Sequence, residues 1–279
     1  MKGKGFFVSD FNWLWLCYPL LGCLAGFMAG LLGVGGGLIS VPFITLILTA
    51  SGMAHPDLHK IALATSTTTI LFTSFSSMRS HVAHNNVHWT AVKGILPGIL
   101  LGTLMGTYLV HLVPTLPLKF VFVAFTFYTA YSMTYGKPPR ATRTLPHRWA
   151  LFGVGNIIGS ISTLISAGGG FITVPFMIAC NTSTRLAIGT SATLGFPIAL
   201  SGVLWYLISF YHTTGLPAHT VAYIYWPAVI GVVMTSALFA PIGARAAQVW
   251  AVAKIKKIFA GVLFLLGLQM LYTIVRGTP

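Results

Sequence analysis

Two copies of one polar device lie in oily surroundings. Gly35, Gly36 and Gly37 open the stretch GGGLISVPF, and Gly168, Gly169 and Gly170 open GGGFITVPF, with seven of nine positions identical. Glycine accepts φ > 0 and lets main chains approach, so a helix interrupted there bares backbone N–H groups. A helix that restarts after the interruption aims roughly half a positive elementary charge at whatever lies ahead of it. The chemistry offered by such a pair is anion binding. Each break is followed by a hydroxyl pair, Thr65 and Ser66 in the first case and Thr190 and Ser191 in the second, with a cation, Lys60 or Arg185, at the same spacing before it. Hydroxyls donate to oxyanions but also satisfy carbonyls of their own helix. We assign that local use to the neighbouring Thr67, Thr68 and Thr69, and substrate contact to the two pairs. Lys60 and Arg185 read as interfacial anchors at helix ends. Arg79 offers a guanidinium fork suited to an oxyanion.

Histidine supplies the rival chemistry. His81, His84 and His88 are spaced by three and four residues, and His55, Asp57 and His59 crowd a second short stretch. Such groups ligate metals or titrate near neutrality, although a polar loop explains them as well. A divalent-metal permease is therefore the alternative to an anion permease. It is disfavoured because the only acids are Asp10 and Asp57, neither in a clear span, and metals want carboxylate or thiolate ligands there. Cys17, Cys23 and Cys180 have no paired spacing and read as packing residues. No nucleophile sits near a general base in the apolar segments, and no GxxxxGK[ST] sequence occurs. An enzyme is not expected; neither catalytic nor metal residues are assigned, and no cofactor is implied.

The elements that must hold these groups are membrane helices. Of 279 residues 56% are hydrophobic and 6% charged. Segments of about 20 apolar residues span a hydrocarbon core roughly 30 Å thick. Clear candidates run over 61–78, 94–113, 120–135, 186–211, 221–243 and 258–274, while 11–50 and 149–180 are too long for one simple span, and each contains a triple glycine. The first dozen residues precede an apolar run far longer than a signal peptide's, so no cleaved leader is expected. The chain carries 16 Lys and Arg, an excess that in a membrane protein reflects loops on one face rather than nucleic-acid binding.

The order of motifs repeats along the whole chain, which divides into a tail at 1–12, a first repeat at 13–136, a basic linker at 137–148 and a second repeat at 149–279. If each glycine-broken tract crosses once, the basic residues divide nine against seven. If each folds back as a hairpin, the halves are inverted and the division is eleven against five, the distribution the positive-inside rule favours. The expected fold is an all-α polytopic membrane protein of two homologous halves, inverted repeats, each a glycine-broken hairpin plus three transmembrane helices, with 8–10 membrane segments in all. Paired interrupted helices are the best pointer from sequence to a transporter's midplane site.

On GxGGGxxxVP at 33–42, AGGGFITVP at 167–175 and the Ala-x-x-Thr-Ser elements at 62–66 and 187–191, the chain resembles the sulfite exporter TauE/SafE family of membrane permeases. The resemblance covers about 16–274. It implies secondary transport of small sulfur-containing anions, such as sulfite or organosulfonates, across the cytoplasmic membrane. Partners expected on this basis are the anion and the lipid bilayer, with protons as a candidate coupling ion and a homodimer as a candidate assembly. Ser166 stands where the first copy has Gly33, a departure from exact repetition.

Overall fold

A computed structural model describes residues 13–136, 144–250 and 252–276. The expected tail at 1–12 and the linker residues 137–143 lie outside these. Among the described residues the order is α1 (Cys17–Leu32), α2 (Gly37–Ala50), α3 (Leu58–Ala83), α4 (Trp89–Leu112), α5 (Thr115–Tyr135), α6 (Arg148–Leu164), α7 (Gly170–Ala179), α8 (Thr184–Phe210), β1 (Thr220–Val221), β2 (Ile224–Tyr225), α9 (Trp226–Val249) and α10 (Val252–Val275). The fold is thus helical save for a two-residue antiparallel ladder, β1 against β2. This corrects the span expected at 221–243. His219, Ala222 and Tyr223 have φ of 62°, 50° and 63°, which a right-handed helix excludes, and α9 starts only at Trp226.

Among the described residues six helical segments are long and apolar enough to cross a membrane: Leu14–Leu32, Trp89–Leu112, Thr115–Tyr135, Thr184–Phe210, Trp226–Val249 and Ile255–Val275. The protein is a multi-pass membrane protein. The segment at 61–78, expected as a simple apolar span, is not among the six. It belongs to α3, whose 26 residues reach about 39 Å but carry a run of Ser and Thr. From Leu58 to Ile70 every side chain of α3 is buried, so the hydroxyls face protein rather than lipid. Thr67, Thr68 and Thr73 donate to the carbonyls of Leu63, Ala64 and Thr69, the local use that lets a polar helix survive in the interior.

Glycine ladders bring the other helices together. In α1, Gly22, Gly26 and Gly30 face Val232, Ser236 and Ala240 of α9, and a Cβ at any of them would collide with that backbone. In α4, Gly98, Gly102 and Gly106 face Phe152, Asn156 and Ser160 of α6 in the same way. Small residues four apart let membrane helices approach for dispersion contacts that lipid cannot match. Numbers rise together along both pairs, so each pair is parallel. α3 crosses α8 antiparallel, with Thr67 beside Gly202 and Ser74 beside Gly195. α5 packs on α10, where Phe127 and Phe264 meet edge to face with ring centroids 5.4 Å apart.

α2 and α7 have 14 and 10 residues, about 21 and 15 Å, too short to cross. α2 begins at Gly37 against Ile70, midway along α3, and returns to the end of the bundle where Asp57 precedes α3. Thr115, at the start of α5, bonds Asp57 at that same end. α6 begins where Leu151 meets Gly94, near the start of α4, at the other end, where Asn86 lies on Gly189 of α8. α7 leaves the second break and leads back to the start of α8, on this Asn86 end.

Candidate functional site

The two breaks meet in the interior. Gly33, Gly35 and Gly36 have φ of 68°, 80° and 79°, and Gly169 has 76°. Side chains there would be strained by about 1–2 kcal/mol each, which explains the glycine run. Ser166, equivalent to Gly33, takes φ of 49° despite its Cβ. Gly35 and Gly168 touch through their Cα atoms, and the Gly168 N–H donates to the Val34 carbonyl at 2.9 Å. Gly37 lies against the Ser166 carbonyl and Gly170 against that of Gly33. The notion that these glycines serve close contact is therefore right for Gly35, Gly37, Gly168 and Gly170.

Contact does not account for their N–H groups. Among the described residues no acceptor meets the N–H of Gly35, Gly36, Gly37 or Leu38, nor that of Gly169, Gly170 or Phe171. Away from water such groups cost several kcal/mol apiece, more than the roughly 0.6 kcal/mol that an average interhelical hydrogen bond returns in a membrane protein. α2 and α7 thus point their N-termini at one place from opposite ends. Two small cavities flank it. The first, about 10 Å³, is bordered by Thr67, Ser162, Thr163 and Ser166 and is on the order of one water. The second, beside Gly33, Gly35, Ser74 and Ser77, is closed to water.

The hydroxyl pairs divide. Thr65 Oγ1 accepts the Tyr225 N–H at 3.0 Å and Thr190 Oγ1 accepts the His88 N–H at 2.9 Å, each holding the residue just before α9 or α4. Ser191 donates to the Gly33 carbonyl at 2.8 Å, whereas Ser66 Oγ is buried without a partner. The threonines therefore fix the frame, and Ser191 reaches the first break. Thr67, read as satisfying only its own helix, also meets Ser166 Oγ at 2.9 Å across the crossing. Ser162, Ser166 and Ser77 escaped sequence reasoning. The place of Ser166 opposite Gly33 in the repeated motif is the signal that could have found it.

The sulfite exporter TauE/SafE family profile matches residues 18–270. The chain belongs to this family. A "Probable membrane transporter protein" of Haemophilus influenzae is 34% identical over 262 residues, 93% of this chain and 98% of that protein. Another so described, from Methanocaldococcus jannaschii, is 28% identical over 226 residues, covering 77% and 78%. No solved structure matches the chain. As a TauE/SafE protein it is a secondary membrane transporter and not an enzyme.

Other candidates of this TauE/SafE chain lie away from the crossing. Arg79 is exposed and rests its guanidinium 5.8 Å from the ring of Phe75, so it does not join the glycines. Lys60 pairs with Asp57 at 3.7 Å, and Arg185 donates to the Gln248 carbonyl at 3.1 Å. Asp57 also accepts from Thr115 and Tyr223, tying three elements together. Burial, and after it the nearby Asp57 carboxylate, pushes the Tyr223 phenol up to about 12. The histidines part company: His84 and His88 bond local backbone, His55 reaches Gly215, and His59 and His81 are buried. Among the described residues no three His, Cys, Asp or Glu side chains gather, so the metal-permease alternative has no ligand set.

Proposed function

We propose that the protein is a permease for small sulfur-containing anions, such as sulfite or organosulfonates, held between the N-termini of α2 and α7. One observation carries the reading: two half-length helices start at a shared contact deep in the bundle, with backbone N–H groups unmet at both tips. Half-helix N-termini are how transporters hold anionic groups at the midplane. Ser66, Ser162 and Ser166 add hydroxyl donors, and Asp57, the only described carboxylate, sits at a helix end where it repels nothing at the crossing. Both cavities are too small for sulfite, so this conformation is an occluded one, and the anion is admitted when the tips part.

The halves work as inverted repeats. Exchanging the first five helices with the second five maps the α1–α9 contact onto α6–α4 and returns α3–α8 and α5–α10 to themselves. With the Asn86 end in the cytoplasm, the described basic residues Arg79, Lys93, Arg148, Arg185, Arg245, Lys256 and Lys257 belong to that side, against Lys60, Lys119 and Arg276. Rocking one hairpin against the other opens the crossing to each face in turn. Proteoliposomes offered radiolabelled sulfite, methanesulfonate and nickel separately test this. Saturable anion flux without nickel flux is expected; nickel flux alone would discard it.

A further inference from the structure

The C-terminal end of α1 is capped by a titratable group that no step above uses. The chain breaks at Gly33, so no backbone N–H completes the last turn at the Gly30 carbonyl. The imidazole Nε2 of His81 lies 3.0 Å from that oxygen instead. His81 is 1% exposed, in the last turn of α3, and its Nδ1 has no partner. One turn earlier Ser77 Oγ is equally buried and equally bare, and Ser77 borders the cavity beside Gly33 and Gly35. Residues four apart share a helix face. A carbonyl only accepts, so Nε2 carries the hydrogen and Nδ1 is left to take a proton.

We infer that His81 Nδ1 is the coupling-proton site of the transporter, loaded when the anion occupies the cavity beside Gly33 and Gly35. The inference rests on the anion reading above. With Nδ1 bare, Ser77 is the single donor facing the cavity from this end of α3. His81 does not itself line the cavity; with Nδ1 protonated, a full positive charge stands one turn behind Ser77 and acts on the cavity through its field. That charge sits at the C-terminus of α1, where the helix dipole favours a cation. The proton comes from water at the Asn86 end and is returned when the anion departs, so no bond other than N–H is made or broken. Ionisable groups inside a membrane bundle are functional by default because they are costly to keep there.

The surroundings leave this proton to His81. On α3, His84 is exposed with Nδ1 2.6 Å from the Ser80 carbonyl, and Arg79 turns outward onto Phe75. α1 presents Gly30 and no ionisable side chain to His81. Arg185 of α8 is engaged with Gln248, and Arg245 of α9 is exposed. Asp57 lies at the opposite end of α3.

The test uses the full chain in liposomes loaded with a pH-sensitive dye, and methanesulfonate, whose charge does not change over the range used. In the wild type, uptake is expected to acidify the lumen, and its initial rate to fall at least about fivefold between about pH 6 and pH 8. In His81→Gln, whose amide can still donate to Gly30, uptake is expected to persist with a flat lumen pH and less than about twofold pH dependence. Ser77→Ala is expected to raise KM severalfold and leave protons moved per anion unchanged. Proton movement surviving in His81→Gln, or anion uptake by the wild type without protons, overturns the inference. If the wild type carries no such anion, the transport reading fails by itself. The imidazole is then followed directly by 15N NMR of the labelled protein in lipid, where the resonance missing from His81→Gln is expected to take on the protonated signature as pH is lowered. An imidazole that stays neutral throughout contradicts the assignment.

Discussion

The two hairpin tips share seven of nine residues after their breaks, yet they are finished differently. The first turns on Gly33, Gly35 and Gly36, with left-handed φ at all three, and offers only backbone. The second puts Ser166 in the left-handed region and turns its hydroxyl onto Thr67. Their supports differ too, since Ser191 bonds the Gly33 carbonyl while the equivalent Ser66 is bare. α2 has four more residues than α7, 14 against 10. Each break supplies a helix N-terminus; the differences decide which tip carries side-chain donors. The first tip is a bare cradle and the second a decorated one.

Substitutions that fill the crossing should affect both tips most. Gly37→Ala and Gly170→Ala drive a methyl into the carbonyls of Ser166 and Gly33, and each is expected to abolish flux and lower stability by about 1–3 kcal/mol in detergent unfolding. Gly153→Ala, where nothing lies within 4 Å, is the matched control and should stay within about 0.5 kcal/mol of wild type. If Gly37→Ala transports normally, the tips are not the site.

Framing groups come next. Thr65→Val and Thr190→Val each strand one backbone N–H, of Tyr225 and His88, and each should cost about 1–3 kcal/mol. A large difference between them would break the proposed equivalence of the halves at this level.

Ser166→Gly makes the second tip a copy of the first and sharpens the comparison. Relief of the left-handed strain is worth about 1–2 kcal/mol and offsets the lost bond to Thr67, so stability should hardly change. Anion affinity should fall about fivefold, the equivalent of one hydroxyl donor at about 1 kcal/mol. Unchanged affinity would mean that both tips act through backbone alone.

The glycine breaks and the membrane class were legible in the sequence because they rest on glycine runs and hydropathy, which act locally. The function of α3 was not. The helix reads as an ordinary span over 61–78, and only packing on α8, α9 and α2 reveals that it is buried on all sides from Leu58 to Ile70. The glycine ladders at Gly22, Gly26, Gly30 and at Gly98, Gly102, Gly106 were present as four-residue spacings, but their partners lie far along the chain. Arg79 illustrates the opposite error. Its chemistry suits an oxyanion, yet its position on α3 faces outward, a matter of helical phase fixed by tertiary packing. His81 looked like part of a polar loop because α3 continues past it to Ala83.

The smallest effect belongs to the Asp57 end. The Tyr223 phenol, raised from 10.0 to about 12, keeps its proton in the fold where the unfolded chain would lose it. Its contribution is therefore complete below pH 10 and lost as pH rises toward about 12. Alkaline unfolding should be steeper in the wild type over that window than in Tyr223→Phe. Equal slopes would show that this latch adds nothing.

The most direct measurement is the position of a bound anion, read from the anomalous signal of selenite used in place of sulfite with the full-length protein in lipid. The expected peak lies within hydrogen-bond reach of the Gly36, Gly37, Gly169 and Gly170 N–H groups. A peak at Arg79 or at the Lys60–Asp57 end, with the crossing unoccupied, would contradict the assignment of the two helix N-termini as the binding site.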